Sequence, residues 1–101
     1  ITHTGLDITA PNGTPVKAAD TGEVLFTGWL SGYGNVVILD HGGNLTTVYA
    51  HLSRIECAEG AKVNRGSMIG RVGATGVATG NHLHFETRVN GDAVNPMRYL
   101  Q

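Results

Sequence analysis

His82-Leu-His84-Phe-Glu86-Thr-Arg88-Val89 alternates polar and apolar residues with a period of two. Side chains alternate between the two faces of a β-strand, so His82, His84, Glu86 and Arg88 fall on one face and Leu83, Phe85, Thr87 and Val89 on the other. No helical stripe of period 3.6 fits the same residues. The octet is a strand with its apolar side on a core. Its two imidazoles share the polar side with Cβ atoms about 7 Å apart, a spacing that suits two ligands on one metal or one ligand and a neighbouring base.

Working outward, short runs rich in β-branched and aromatic residues recur between glycine-led turns, and the spacing predicts strands at Leu6–Thr9, Pro15–Ala18, Gly22–Trp29, Asn35–His41, Thr46–His51, Ser67–Val72 and His82–Val89. Fifteen glycines in 101 residues, about twice the usual share of roughly 7%, supply the turns. Asn90-Gly91 reads as a hairpin turn, because both residues tolerate positive φ. Ser53–Glu56 is expected to form a single helical turn. Gly13-Thr-Pro-Val16-Lys17 leading to Gly22-Glu-Val24 is echoed by Gly60-Ala-Lys-Val63 leading to Gly66-Ser-Met-Ile69-Gly70, which predicts two similar β-hairpin units. The fold expected is all-β, a small antiparallel β-sandwich or flattened barrel.

Residues 1–101 suffice for one domain with a single modest core. A net charge of -1, with seven basic and eight acidic residues spread along the chain, leaves no basic stripe to track a phosphate backbone, which argues against a nucleic-acid partner. The longest apolar stretches, such as Val36–Leu39, are of strand length and far short of the roughly 20 residues that span a bilayer as a helix. The single cysteine, Cys57, excludes an internal disulfide and reads as a small buried or half-buried side chain.

Five histidines are where chemistry is to be sought. His3-Thr-Gly-Leu-Asp7 places an imidazole and a carboxylate four residues apart around Gly5, a turn entering a strand. His51 closes the Tyr49-Ala-His51 run, where a sheet delivers side chains to a cleft. His41, followed by two glycines, reads as a structural cap on its turn. A catalytic zinc site takes three protein ligands and leaves its fourth position to water. His3, Asp7 and one of His82 or His84 meet that count. Such a metal lowers the pKa of its water to about 7 and polarises a carbonyl. The remaining histidines could then move a proton or hydrogen-bond an oxyanion.

His3-x-Gly-x-Asp7, Tyr49-Ala-His51-Leu-Ser53 and His82-Leu-His84-Phe-Glu86, in this order, resemble the LytM/lysostaphin-type peptidoglycan metalloendopeptidases. The resemblance extends over almost the whole chain, through Gly13-Thr-Pro-Val16, Gly32-Tyr-Gly-Asn35, Gly60-x-x-Val63-x-x-Gly66, Gly73-x-Thr-Gly76 and Asn95-Pro96. It implies that His3, Asp7 and His84 bind zinc, and that His51 and His82 are the catalytic pair beside it. It implies a small antiparallel sheet with an open groove for an extended peptide, stem or bridge peptides of peptidoglycan as substrate, and work in the cell envelope, in the periplasm or outside the cell. Tyr33, Asn35, Thr75 and Asn81 are expected to line the groove.

Domains of this family are expected to carry a strand and loop ahead of the first ligand, whereas only Ile1 and Thr2 precede His3, so an N-terminal strand is expected to be missing here. Similar domains that have lost zinc ligands regulate cell-wall amidases, and an inactive or autoinhibited module of that kind is the alternative; all five expected positions are filled here, which weighs against it. A biotinyl- or lipoyl-type carrier would present a lysine at a hairpin tip, and Lys17 and Lys62 sit at neither tip.

Overall fold

The computed structural model describes residues 5–95. Nine strands lie among them: β1 (Leu6–Thr9), β2 (Pro15–Lys17), β3 (Gly22–Leu30), β4 (Gly34–Asp40), β5 (Leu45–Ile55), β6 (Lys62–Val63), β7 (Met68–Val72), β8 (His82–Val89) and β9 (Asp92–Val94). The order β1-β8-β5-β4-β3-β6 runs across one antiparallel sheet; β7 also pairs with β5, β2 with β7, and β9 with β8. No helix occurs among the described residues, and none there is long and apolar enough to cross a membrane. The all-β expectation holds.

Alternation along each strand builds the core. Val24, Val37, Leu39, Tyr49 and Phe85 turn to one face of the central strands, where Val16 of β2 and Ile69 and Val72 of β7 close over them. Tyr49 and Phe85 meet edge-on at 5.3 Å between ring centroids, a favoured aromatic geometry. Val36, Val48 and Ala50 face the opposite way and pack with Phe26, Tyr33 and Ile38. The sheet is thus buttressed fully on one side and partly on the other, and the partly covered side carries the polar face of β8.

Three details differ from the sequence expectations. Ser53–Glu56 is not a helical turn: β5 continues through Ile55, because Arg54 and Ile55 pair with Arg71 and Gly70 of β7 and sheet pairing overrides local preference. The short β6 and β9 were not predicted, each being two or three residues without an alternating pattern; β9 is the return strand of the Asn90-Gly91 hairpin, whose two residues have φ of 53° and 83°.

The internal echo is real but does not form two hairpins. The short strand of each unit pairs with the long strand of the other, β2 with β7 and β6 with β3. Gly13 N donates to Val72 O and Gly60 N to Val24 O, each at 2.8 Å, while Val72 N and Val24 N donate back to Thr14 O and Ala61 O. Val24 therefore matches Val72, and Gly22 matches Gly70 rather than Gly66.

Candidate functional site

β8 lies between β1 and β5, with Asp7 paired to His84 and His84 to Ala50. Residues directly opposite on neighbouring strands point to the same face, so this register alone brings the Asp7 carboxylate against the His84 ring. Asp7 Oδ1 is 2.6 Å from His84 Nδ1 and 3.8 Å from His82 Nε2. Gly5 makes the approach possible: a Cβ there would lie 2.4 Å from the Phe85 carbonyl oxygen and 3.0 Å from His84 Cε1. The glycine of the His3-x-Gly-x-Asp7 motif is a packing requirement.

His51 arrives by a different device. Asn35 pairs with Leu52 and Val37 with Tyr49, so Ala50 and His51 together oppose Val36: a β-bulge on β5. Leu52 can then face the same core as Tyr49, three residues earlier, and the displaced His51 turns to the β8 side with φ of 62°. His51 is therefore not at a strand end, as its sequence implied. It sits inside a longer strand at the point where β5 leaves β8 and takes up β7. Its ring centroid lies 4.8 Å from that of His82 and 6.0 Å from that of His84.

Hydrogen bonds orient the three rings. His51 Nδ1 is 2.7 Å from the Thr75 carbonyl and His82 Nδ1 3.0 Å from the Gly80 carbonyl. A carbonyl only accepts, so both rings carry a proton on Nδ1, and in the neutral form the lone pair is on Nε2. His84 faces a carboxylate with each ring nitrogen, Nε2 donating to Glu86 Oε2 at 2.8 Å and Nδ1 to Asp7 Oδ1 at 2.6 Å. Its pKa is raised above the ordinary histidine value, first by the bond to Glu86 and further by Asp7, against the effect of burial. The bond from His84 in turn holds Asp7 below the usual carboxylate range.

Of the metal ligands expected from the sequence, Asp7 and His84 are brought together, and His3 lies outside the described residues. Among the described residues no three His, Cys, Asp or Glu groups converge as a complete metal-binding set. The donors present do suit zinc: an imidazole nitrogen and a carboxylate oxygen side by side, with the ring's other nitrogen held by a second carboxylate, as metal-binding histidines usually are.

Asn81 lines an open groove of about 330 Å3 with Asp7, Thr9, Thr79, Gly80 and His82. The other three residues expected to line it have their polar atoms engaged inside the protein. Tyr33 bonds Glu86 and Arg88, the Asn35 side chain donates to Leu52 O, and the Thr75 hydroxyl donates to Leu52 O and accepts from Asn35 N. His41 bridges the Thr21 carbonyl and the Thr47 hydroxyl, a structural tie away from the site. Glu86, whose place on the polar face of β8 was legible but whose importance was not, is completely buried.

Residues 1–96 match the profile of peptidase family M23. The chain belongs to that family. As an M23 chain it is 52% identical over 95 residues to the DD-carboxypeptidase/endopeptidase Mpg of Neisseria meningitidis serogroup B, an alignment covering 94% of this chain and 22% of that relative. The catalytic domain of lysostaphin from Staphylococcus simulans superposes with a TM-score of 0.90 at 38% identity, over 97% of this chain and 78% of that one. A zinc-containing peptidase from Vibrio cholerae superposes with a TM-score of 0.87 at 38% identity, over 91% of this chain and 28% of that one. The M23 chain thus spans about a fifth of the length of the curated relative it matches.

Proposed function

We propose that residues 1–101 are the catalytic domain of a zinc-dependent endopeptidase that hydrolyses peptide cross-links of bacterial peptidoglycan in the cell envelope. The observation that carries this reading is the convergence of Asp7, His84, His82 and His51 on one open face, with the 2.6 Å contact between Asp7 and His84 at its centre. His3, Asp7 and His84 would hold the zinc, through Nδ1 in the case of His84. Zinc there supplies Lewis acidity toward a water molecule and the scissile carbonyl.

The chain's own residues supply the rest. In the neutral Nδ1–H tautomer either His51 or His82 can take the proton of the attacking water on Nε2 and, as an imidazolium, stabilise the oxyanion or protonate the leaving amine. The carbonyls of Thr75 and Gly80 keep both rings in that tautomer. An open groove of modest volume suits an extended peptide of glycine or D-residues, recognised through its backbone, and Asn81 is placed to hydrogen-bond it. The internal bonds of Tyr33, Asn35 and Thr75 favour a part in holding the histidines over direct substrate contact.

Zinc content and cleavage of purified muropeptides test this for the wild type, His84→Ala and His51→Ala. The expected result is one zinc and cleavage in the wild type, loss of metal in His84→Ala, and retained metal without turnover in His51→Ala. Zinc binding without cleavage of any cross-link would favour the amidase-regulating alternative.

A further inference from the structure

We propose that Glu86, clamped by Arg88 and Tyr33, is a positioning residue that fixes the ring nitrogen His84 offers to a metal. The inference rests on the reading of His84 as a zinc ligand, and goes beyond it by assigning work to three side chains that touch neither metal nor substrate.

Glu86 is wholly buried, and both oxygens of its carboxylate are engaged. Oε1 accepts from Arg88 Nε at 2.8 Å and lies 2.6 Å from Arg88 Nη2 in an ion pair; Oε2 accepts from the Tyr33 hydroxyl at 2.7 Å and from His84 Nε2 at 2.8 Å. Arg88 Nη2 also donates to the Tyr33 oxygen at 3.0 Å, which leaves the phenolic hydrogen for Glu86 and closes the ring of bonds. The Tyr33 and His84 rings meet edge-on at 5.9 Å, limiting rotation of the imidazole.

An ionised carboxylate bonded by three donors and paired with a guanidinium can only accept, so the proton between it and His84 stays on Nε2. That nitrogen is closed to a metal, and Nδ1, facing Asp7, is the one available. Arg88 balances the Glu86 charge, so the clamp is locally neutral.

Glu86→Gln keeps the shape but replaces one acceptor with an NH2 group. Whichever way the amide turns, that group opposes either the Arg88 fork or His84 and Tyr33. Arg88→Gln added to it supplies a carbonyl for the NH2 and leaves the amide oxygen for His84. Zinc affinity by chelator competition is expected to fall about 10–100-fold in Glu86→Gln, the usual effect of losing such a partner, and to recover most of that loss in the double variant.

The 15N spectrum of the zinc-loaded wild type should show a protonated, slowly exchanging Nε2 on His84. In Glu86→Gln that proton should exchange faster. An unchanged affinity and ring spectrum in Glu86→Gln would overturn the proposal, as would a folded double variant that binds no better than the single one. His84→Ala separates the two levels: if it keeps wild-type zinc affinity, the ligand assignment fails and the clamp with it. If it loses zinc while Glu86→Gln does not, only the clamp fails.

Discussion

At φ of 62° His51 occupies the left-handed region, which costs a residue with a Cβ about 1–2 kcal/mol. Its own backbone and ring bonds hold it there, His51 N to Tyr33 O at 2.8 Å and Nδ1 to Thr75 O at 2.7 Å. His51→Gly is therefore expected to unfold at higher urea than His51→Ala, by about 1 kcal/mol, while neither cleaves cross-links. Equal stabilities in denaturant titrations would mean that the strained backbone relaxes once the ring is gone. Gly5 makes the complementary case: Gly5→Ala should weaken zinc binding without removing any donor, because the new Cβ pushes the Asp7 strand off Phe85 and His84. Zinc titration of that variant against the wild type measures it.

Among the elements, the segment from Gly73 to Asn81 matters most, because two of its backbone carbonyls orient the histidine rings. Thr75 supports His51 and Gly80 supports His82, and the segment is itself fastened to the β3–β4 turn by Val77 N to Gly32 O and to β5 by Thr75 Oγ1 to Leu52 O. Gly34 of β4 lies directly beneath it: a Cβ there would come within 2.5 Å of the Thr75 backbone, at a φ of 71°. Gly34→Ala should cost about 2–5 kcal/mol, the sum of overpacking and left-handed strain. It should also lower kcat for cross-link cleavage, since the Thr75 carbonyl moves away from His51. Wild-type kcat in a folded Gly34→Ala would show that His51 does not depend on this support.

For the whole molecule, a domain of 101 residues has about 5–15 kcal/mol of stability to draw on. Leu39, fully buried in the core away from the histidines, illustrates how separable fold and site are. Leu39→Ala should lose about 2–5 kcal/mol in urea titration and leave zinc affinity unchanged in the protein that remains folded. Metal acts in the opposite direction. Zinc at a hundred times its dissociation constant adds about 2.7 kcal/mol to a folded state that binds it. Chelation should therefore lower the melting temperature of the loaded protein by roughly 10–20 °C and abolish cleavage, with zinc restoring both. A melting curve indifferent to chelator would count against a site in the folded domain.

The strand identity of His82–Val89 and the division of that strand into a polar and an apolar face were legible in the residues alone, as was the choice of His3, Asp7, His51, His82 and His84 as the proposed site. Those depend on local rules: a period of two, glycines at turns, and short motifs in a set order. Only the tertiary structure decided which groups meet and through which atoms. The pairing of Asp7 with His84, the bulge that redirects His51, the exchange of short strands between the two glycine-led units, and the closure of Glu86 by Arg88 and Tyr33 all depend on register between segments far apart in the chain. A strand's own residues carry its period. Its register belongs to the partner, and a single bulge or bond supplied from elsewhere changes which way a side chain points.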